Sequence, residues 1–320
     1  MKNKERINDI LQTIANLLYI NQHKIKNVGL LNGKMGIAIF LYHYAHYKKQ
    51  NAYEELADDF IGEIFDNKMN NVRHPNFSEG ISGLIWGINY LNENKFIEME
   101  DNAISEDLEK FLLANISVKM PIINPEVINL FGIGVYYAEK YKDISLCAKD
   151  VGIIETIIKE CQRIMDEHKS NAIFDISFLN SILYFLIEIS KHNNVKKSPI
   201  RRLSFLVSDI LSKHHDYSSY REKDVYILQK NVKRIQRIDS KKSKWKQVQS
   251  KIDCESLSGL SCFDWQNFVY FMYDNMQIND SLLDEIESFV EKEIDKSYPL
   301  DFTLSGKLLN IGLGLIKNVR

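Results

Sequence analysis

The sequence predicts an all-α protein, an α/α toroid of repeated helix pairs, and three observations lead to this prediction. Strand signals are almost absent, because no alternating run of β-branched residues is bounded by Asn-Gly or Asp-Gly turns. Segments with apolar residues at helical spacing recur along the whole chain. Two of them, NGKMGIAIFLYHYAHY at 32–47 and EGISGLIWGINYL at 79–91, begin with paired glycines and lie 47 residues apart. A fixed period of this length is typical of stacked supersecondary units.

The glycines favour a closed ring over an open array. Gly33 and Gly36 return as Gly80 and Gly83, and Ser305-Gly306 follows Ser258-Gly259 by the same 47 residues. Glycine permits close backbone approach and unusual dihedral angles, which inner helices need where they crowd towards a common axis. The alternatives are ordinary helix starts in an open helical repeat such as a HEAT array. We therefore predict a toroid in which each inner helix begins at a glycine.

The helices alternate between two types in about six units. Outer helices, which have a polar face opposite their apolar face, are predicted at 7–18, 53–65, 104–116, 151–165, 200–211 and 281–294. Inner helices are predicted at 33–47, 80–92, 125–141, 175–189, 258–273 and 305–319, with Ser177 and Asn180 at the glycine positions of the fourth. The period then breaks, because 82 residues separate Ser177 from Gly259. We interpret residues 216–252 as an irregular basic segment within a single domain, 1–320.

Composition limits the class of protein. The chain has 320 residues, 45% of them apolar and 26% charged, which is enough for a large core. A formal net charge of −2 gives no argument for nucleic acid, and no run approaches the roughly 18 apolar residues of a membrane helix. The N-terminus lacks the apolar stretch of a signal peptide, so we expect a cytoplasmic protein. Four irregularly spaced cysteines do not make a disulfide framework.

Three segments carry a family resemblance. GLLNGKMGIAIFLYHYA, FSEGISGLIWGINYL and LSGKLLNIGLGLIK resemble the repeats of lanthionine synthetase C-like (LanC-like) proteins, which are α/α toroids. The resemblance implies a cyclase that adds a cysteine thiol to a dehydrated Ser or Thr in a precursor peptide. It also implies a zinc ion that activates the thiol, held by one Cys and by a Cys-His pair just before the glycine of two late units.

The positions implied to hold zinc carry no suitable ligand. Leu-Ser precedes the glycine in both late units, at 257–258 and at 304–305, and neither side chain is one that binds zinc in this type of site. The unit near Ser177 also lacks the family's acid/base histidine, since its neighbours are Ile176 and Phe178. We therefore expect no metal and no cofactor. The predicted function is a non-catalytic or divergent role in maturing a ribosomally made, lanthipeptide-type peptide.

The rival function is a thioether cyclase with non-standard ligands, and two pairs of residues could supply its metal ligands. Cys254 and Cys262 are eight residues apart but have no adjacent histidine or second close pair. His43 and His46 lie three apart on the first inner helix and could approach the axis of the toroid. Core thiols and satisfied or solvent-facing histidines are the favoured interpretation of these four residues.

Two further functions belong to different classes. A toroidal hydrolase would need paired carboxylates on its inner rim, and Glu79 and Asp264 are the obvious acids near inner-helix starts. A helical-repeat scaffold would need no site at all. Carboxylates about 5–10 Å apart in a cleft would favour the hydrolase.

The basic segment is the predicted partner-binding site. Residues 221–251 contain eleven Lys or Arg against three acids. Clustered charge steers association, so we predict that this segment docks an acidic precursor peptide or a peptide-modifying partner enzyme. The predicted binding residues are Lys241, Lys242, Lys244, Trp245 and Lys246. A solvated surface is the alternative, and nucleic acid is disfavoured because a single Trp interrupts the lysines.

Overall fold

The computed structural model describes residues 2–68, 76–98, 110, 112, 127–142, 144–167, 174–213, 217–238, 242–252, 257–273, 276–295, 301, 303–304 and 306–319. Within these ranges the regular elements are helices and no strand occurs. The predicted all-α class is confirmed. None of these helices combines the length and the hydropathy that are needed to cross a lipid bilayer.

The chain forms two compact units, and the first is discontinuous in sequence. Unit 1 comprises Met1–Asp101 and Ser258–Arg320, and unit 2 comprises Asn102–Leu257. The helices of unit 1 are α1 (Lys2–Asn21), α2 (Lys34–Lys48), α3 (Asn51–Glu63), α4 (Ile81–Glu93), α11 (Asp280–Asp295) and α12 (Lys307–Val319). Those of unit 2 are α5 (Val127–Lys140), α6 (Ala148–Glu167), α7 (Ile176–Ile189), α8 (Lys197–Lys213), α9 (Glu222–Ile235) and α10 (Lys242–Gln249). The outer helix predicted at 104–116 lies almost wholly outside the described residues.

Short turns of other helical types complete unit 1. A π-helical stretch, Ile64–Lys68, continues α3, and a 3-10 turn, Gly259–Cys262, precedes a second π-helix, Asn267–Phe271. This second π-helix ends at Met272 and Tyr273, both of which have positive φ. It takes the place of the inner helix predicted at 258–273. The single domain predicted for 1–320 stays a prediction.

Unit 1 brings the two ends of the sequence together. Helix α12 packs against α1 and α2, and α11 packs against α1. Across the α1–α11 contact, Arg6 donates hydrogen bonds to Asp284 at 2.6 Å and to Glu287 at 2.7–2.8 Å. Across the α2–α12 contact, the ring of Phe40 lies directly over Gly312. The last helix pair of the chain therefore shares a core with the first.

Unit 2 consists of two rows of helices. Helix α7 lies between α5 and α9, while α8 packs against both α6 and α10. The inner row is thus α5, α7 and α9, and the outer row is α6, α8 and α10. The fourth predicted inner helix, 175–189, is present as α7, with Asp175 as its N-cap and the Asp175 carboxylate accepting from the backbone N–H of Ser177. That interaction satisfies one of the free N–H groups at the helix start.

The segment predicted to be irregular contains a regular helix pair. Helix α9 begins after Arg221 and carries Glu222 and Asp224 in its first turn. Negatively charged side chains are stabilised there by the positive end of the helix dipole. Its apolar residues at helical spacing face α7, and α10 then packs beside α8. The glycine pattern of the sequence is interrupted here because neither helix begins with glycine. The described part of 216–252 therefore continues the two rows.

Candidate functional site

The glycines that begin the inner helices of unit 1 are crowded by backbone and core atoms. A Cβ atom added to Gly36 would overlap the carbonyl oxygen of Leu30 and lie 2.7 Å from Cδ1 of Leu304. A Cβ atom on Gly83 would overlap the carbonyl oxygen of Phe77 and lie 2.9 Å from Cβ of Leu30. Atoms this close must move, so the two helix starts tolerate little besides glycine. This is the close approach that the repeated glycines predict.

The residues at the positions implied to hold zinc have other structural roles. Leu304 is completely buried and packs against Gly36, so its side chain belongs to the core of unit 1. Ser258 is exposed and precedes Gly259, whose φ of +50° starts the 3-10 turn. Ser305 lies outside the described residues. An aliphatic side chain offers no ligand atom, and a serine hydroxyl is not among the groups that hold structural or catalytic zinc. These positions do not fit the metal.

The cysteines and histidines do not form a substitute site among the described residues. No group of three His, Cys, Asp or Glu side chains there is arranged to hold a metal ion. Cys262 is a buried cysteine in the 3-10 turn, and the side-chain amide of Asn267 donates to its backbone carbonyl oxygen at 3.0 Å. Cys254 lies outside the described residues. Cys262 is therefore a core residue of unit 1.

His43 lies at a small pocket in unit 1, near the ends of the inner helices. It is 8% exposed, and its Nε2 lies 2.7 Å from the hydroxyl of Tyr90. The pocket is mostly apolar and is also lined by Phe268, Met272 and Tyr273. His46 is exposed and its ring lies 6.1 Å from that of Phe96. His43 is thus a satisfied core histidine, as the favoured interpretation of the sequence expected.

Glu79 and Asp264 lie on helix starts that an aromatic contact links. The rings of Phe77 and Trp265, which are near neighbours of the two acids in sequence, are 6.2 Å apart. Glu79 is exposed and accepts from the amide of Asn32 at 2.8 Å. Asp264 is 8% exposed and accepts from the backbone N–H of Gln266 at 3.0 Å. The Glu79 carboxylate therefore binds a side-chain amide, whereas the Asp264 carboxylate anchors the backbone at its helix start.

In unit 2, the buried amide of Asn180 stands at a position where the inner helices of unit 1 have glycine. Asn180 is fully buried, donates to the carbonyl oxygen of Asp224 at 2.9 Å, and accepts at its own carbonyl from Asn231 at 3.3 Å. Asp224 is 2% exposed and binds Arg221 through Oδ2 at 2.7 Å. Its Oδ1 accepts no hydrogen bond from any described residue. Burial raises the pKa of Asp224, and the nearby Arg221 only partly opposes that effect.

A cluster of Glu139, Tyr184 and Glu188 with two cations in unit 2 was not predicted from the sequence. Tyr184 donates to Glu139, and Glu188 binds both Arg234 and Lys191. Burial and then the charge of Glu139 raise the pKa of Tyr184 far above its usual value. Glu188 is 1% exposed and both its oxygens hold cations, so it is not open to a substrate. The sequence signal for this cluster is the spacing of Glu139, Glu188 and Arg234, which lie close to one repeat period apart.

The predicted binding residues divide between core and surface. Trp245 is completely buried, and its indole N–H donates to the hydroxyl of Ser204 at 3.3 Å. Lys244 forms an ion pair with Asp209. Lys246 is exposed. Lys241 and the side chain of Lys242 lie outside the described residues. The indole therefore joins α10 to α8 and is not available to a partner.

Comparison with protein families relates this chain to a known family. The family model described as "Lanthionine synthetase C-like protein" matches residues 24–202, a little over half of the chain. The all-helical fold is consistent with the helical toroid of that family. Searches of curated proteins and of solved structures give no match.

Proposed function

Because the chain belongs to the lanthionine synthetase C-like family, we propose that it helps to mature a ribosomally made, lanthipeptide-type peptide by binding it, without zinc-dependent thioether closure. The partner is the precursor peptide or an enzyme that modifies it. The rival within the family is a cyclase that uses different metal ligands.

One observation carries the proposal. Leu304, at a position where the resemblance implies a metal ligand, is fully buried against Gly36. Replacing such a residue by a ligand would open a cavity between α2 and the segment before α12, so this position is committed to packing. Of the other implied positions that are described, Leu257 is aliphatic and Ser258 supplies only a hydroxyl.

The chemistry explains why closure should be lost. An ordinary thiol has a pKa near 8.5, so at neutral pH only a few per cent of it is the nucleophilic thiolate. With no group to lower that pKa, the protein would hold the peptide without activating its cysteine. Binding a peptide requires only surface contacts, which do not depend on a metal.

The test combines elemental analysis with a closure assay. Protein purified without chelators should contain much less than one zinc per chain, and it should not accelerate cyclisation of a dehydrated peptide that carries one cysteine. The variants Cys254→Ser and Cys262→Ser should leave both results unchanged. Cys161→Ser is the matched control, because Cys161 is a buried cysteine like Cys262 but lies on α6.

Stoichiometric zinc that is lost in Cys254→Ser or Cys262→Ser, but kept in Cys161→Ser, would overturn the proposal. Accelerated closure by that zinc-loaded protein would establish the cyclase with non-standard ligands instead.

A further inference from the structure

The basic charge of this chain is concentrated on the last helices of unit 2. Residues 196–251 contain sixteen Lys or Arg and five Asp or Glu, an excess of eleven positive charges. The whole chain has a net charge of −2, so the remaining residues together carry −13. Such an asymmetry within one chain is an electrostatic argument for an acidic partner.

An exposed aromatic ring lies within this basic region. Phe205 on α8 is 40% exposed, and Nζ of Lys244 from α10 lies 4.4 Å from the centre of its ring. Arg201 is four residues earlier on α8 and therefore lies on the same side of the helix. Arg201 is exposed, and it forms no ion pair within the described part of the chain. We call Arg201, Phe205, Lys213 and Lys244 the Phe205 face.

Asp209 fixes the geometry of this face. Its carboxylate pairs with Lys213 at 2.9 Å and with Lys244, and hydrogen bonds from these two lysines hold its pKa below the usual range. The ionised Asp209 thereby positions Lys244 over the ring of Phe205. At the other end of the face, burial and then the charge of Arg201 lower the pKa of Lys197. A ligand that brings negative charge would relieve this repulsion between like charges.

We propose that the Phe205 face docks an acidic peptide segment that carries one apolar side chain. The apolar side chain packs on the ring of Phe205, and flanking carboxylates pair with Arg201 and Lys244. Aromatic side chains and arginine are enriched at protein interfaces. This inference rests on the proposed function, and it moves the docking site from the lysines of α10 alone to the surface shared by α8 and α10.

The observations favour a peptide over nucleic acid. A nucleic-acid surface needs an array of phosphate-binding cations, usually with several stacking aromatics. Here a carboxylate, Asp209, lies in the middle of the face, and one ring is exposed. A chain of carboxylate side chains can place single charges on either side of Asp209, whereas a continuous phosphate backbone would run over it.

Binding of a fluorescent probe peptide tests the proposal. The probe has twelve residues, with Asp and Glu on both sides of a central Phe, and a second probe has Ser in place of that Phe. We expect the first probe to bind more tightly, and its affinity to fall steeply between low and physiological salt, because exposed charge pairs are screened over about 8–10 Å. Loss of one anchoring ring should weaken binding about tenfold in Phe205→Ser.

Two matched controls separate this face from general surface effects. Ile294→Ser removes an apolar side chain that is 46% exposed on α11 of unit 1, and it should leave affinity within about twofold. Lys292→Ser removes one exposed positive charge there, whereas Arg201→Ser removes one from the face and should reduce both affinity and its salt dependence. Circular dichroism spectra check that each variant is folded.

Equal affinity of the parent and Phe205→Ser, or binding that ignores salt, would overturn the proposal. A single-stranded twelve-nucleotide oligonucleotide that displaces the probe at a lower concentration than unlabelled peptide would also overturn it, in favour of nucleic acid. These outcomes do not involve zinc or closure, so they leave the proposed function standing. Conversely, stoichiometric zinc with accelerated closure would overturn the proposed function without changing the effect of Phe205→Ser.

Discussion

At the scale of single residues, glycine is the residue type that best predicts the packing of the helix starts. The repeat of Gly33 and Gly36 as Gly80 and Gly83 predicted crowded helix starts, and the structure places core atoms where side chains at 36 and 83 would lie. The identity of those neighbours could not be predicted. Leu30 contacts both sites and Leu304 contacts one, and the second of these contacts spans most of the sequence.

Replacing Gly83 by Leu should therefore destabilise the protein. The added Cβ would overlap the carbonyl oxygen of Phe77, which belongs to the backbone and cannot rotate away. We expect a loss of about 1–3 kcal/mol in the free energy of unfolding, measured by urea denaturation.

Gly62→Leu provides the matched control. Gly62 also lies on a helix of unit 1, but a Cβ there meets no atom within 4 Å. Leucine has the higher helix propensity, so this variant should be as stable as the parent or more stable by up to about 1 kcal/mol. If Gly83→Leu is as stable as the parent, the helix starts are not crowded and the main argument for tightly packed inner helices is lost.

At the scale of helices, the sequence identified most of them but missed the fifth repeat of the period. Helix α9 contains no glycine, and the many Lys and Arg of 221–251 indicate a solvent-facing segment. Its inner side shows ordinary helical spacing of Val225, Leu228, Val232 and Ile235. Buried amides replace the glycine contact, since Asn180 on α7 binds both Asp224 and Asn231 on α9. A side-chain hydrogen bond between helices leaves no trace in the periodicity of one sequence.

The start of α9 should make stability depend on pH through Asp224. Its folded-state pKa is raised, mainly by burial, above the value near 3.9 in the unfolded chain. The folded state therefore binds the proton more tightly, and this contribution to stability is present below about pH 4 and is lost as pH rises through the folded pKa. In Asp224→Asn the charge is absent, so the stability of the variant relative to the parent should increase from pH 4 upwards. Urea denaturation at several pH values measures this trend.

Asp209→Asn should show the opposite trend. Hydrogen bonds from Lys244 and Lys213 lower the folded-state pKa of Asp209, so its contribution is present at neutral pH and is lost as pH falls through that lowered value. The parent should therefore exceed this variant in stability most clearly near pH 7. Parallel pH profiles for the two variants would contradict the assignment of opposite shifts.

At the scale of the molecule, the contact between the ends of the sequence could not have been predicted from the repeats alone. The 47-residue period indicates that successive pairs stack, but an open array and a closed one show the same period. The structure shows that α12 packs on α1 and α2, that α11 packs on α1, and that both terminal segments belong to one compact unit. Unit 1 therefore contains contacts between residues that are very distant in sequence, and such contacts are expected to slow folding.

A disturbance of α12 should consequently weaken the first helices of the chain. In Gly312→Leu the added side chain would strike the ring of Phe40, whose Cδ2 lies 2.9 Å from the position of the new Cβ. We expect a loss of about 1–3 kcal/mol from overpacking. Because each 1.4 kcal/mol is a factor of ten in an equilibrium constant, backbone amides of α1 and α2 that exchange through opening of this unit should exchange about tenfold faster or more. Gly152→Leu on α6 is the control, since a Cβ there meets nothing within 4 Å. Hydrogen exchange followed by mass spectrometry measures these exchange rates. Faster exchange confined to α12, with α1 and α2 unchanged, would mean that the two ends of the chain do not stabilise each other.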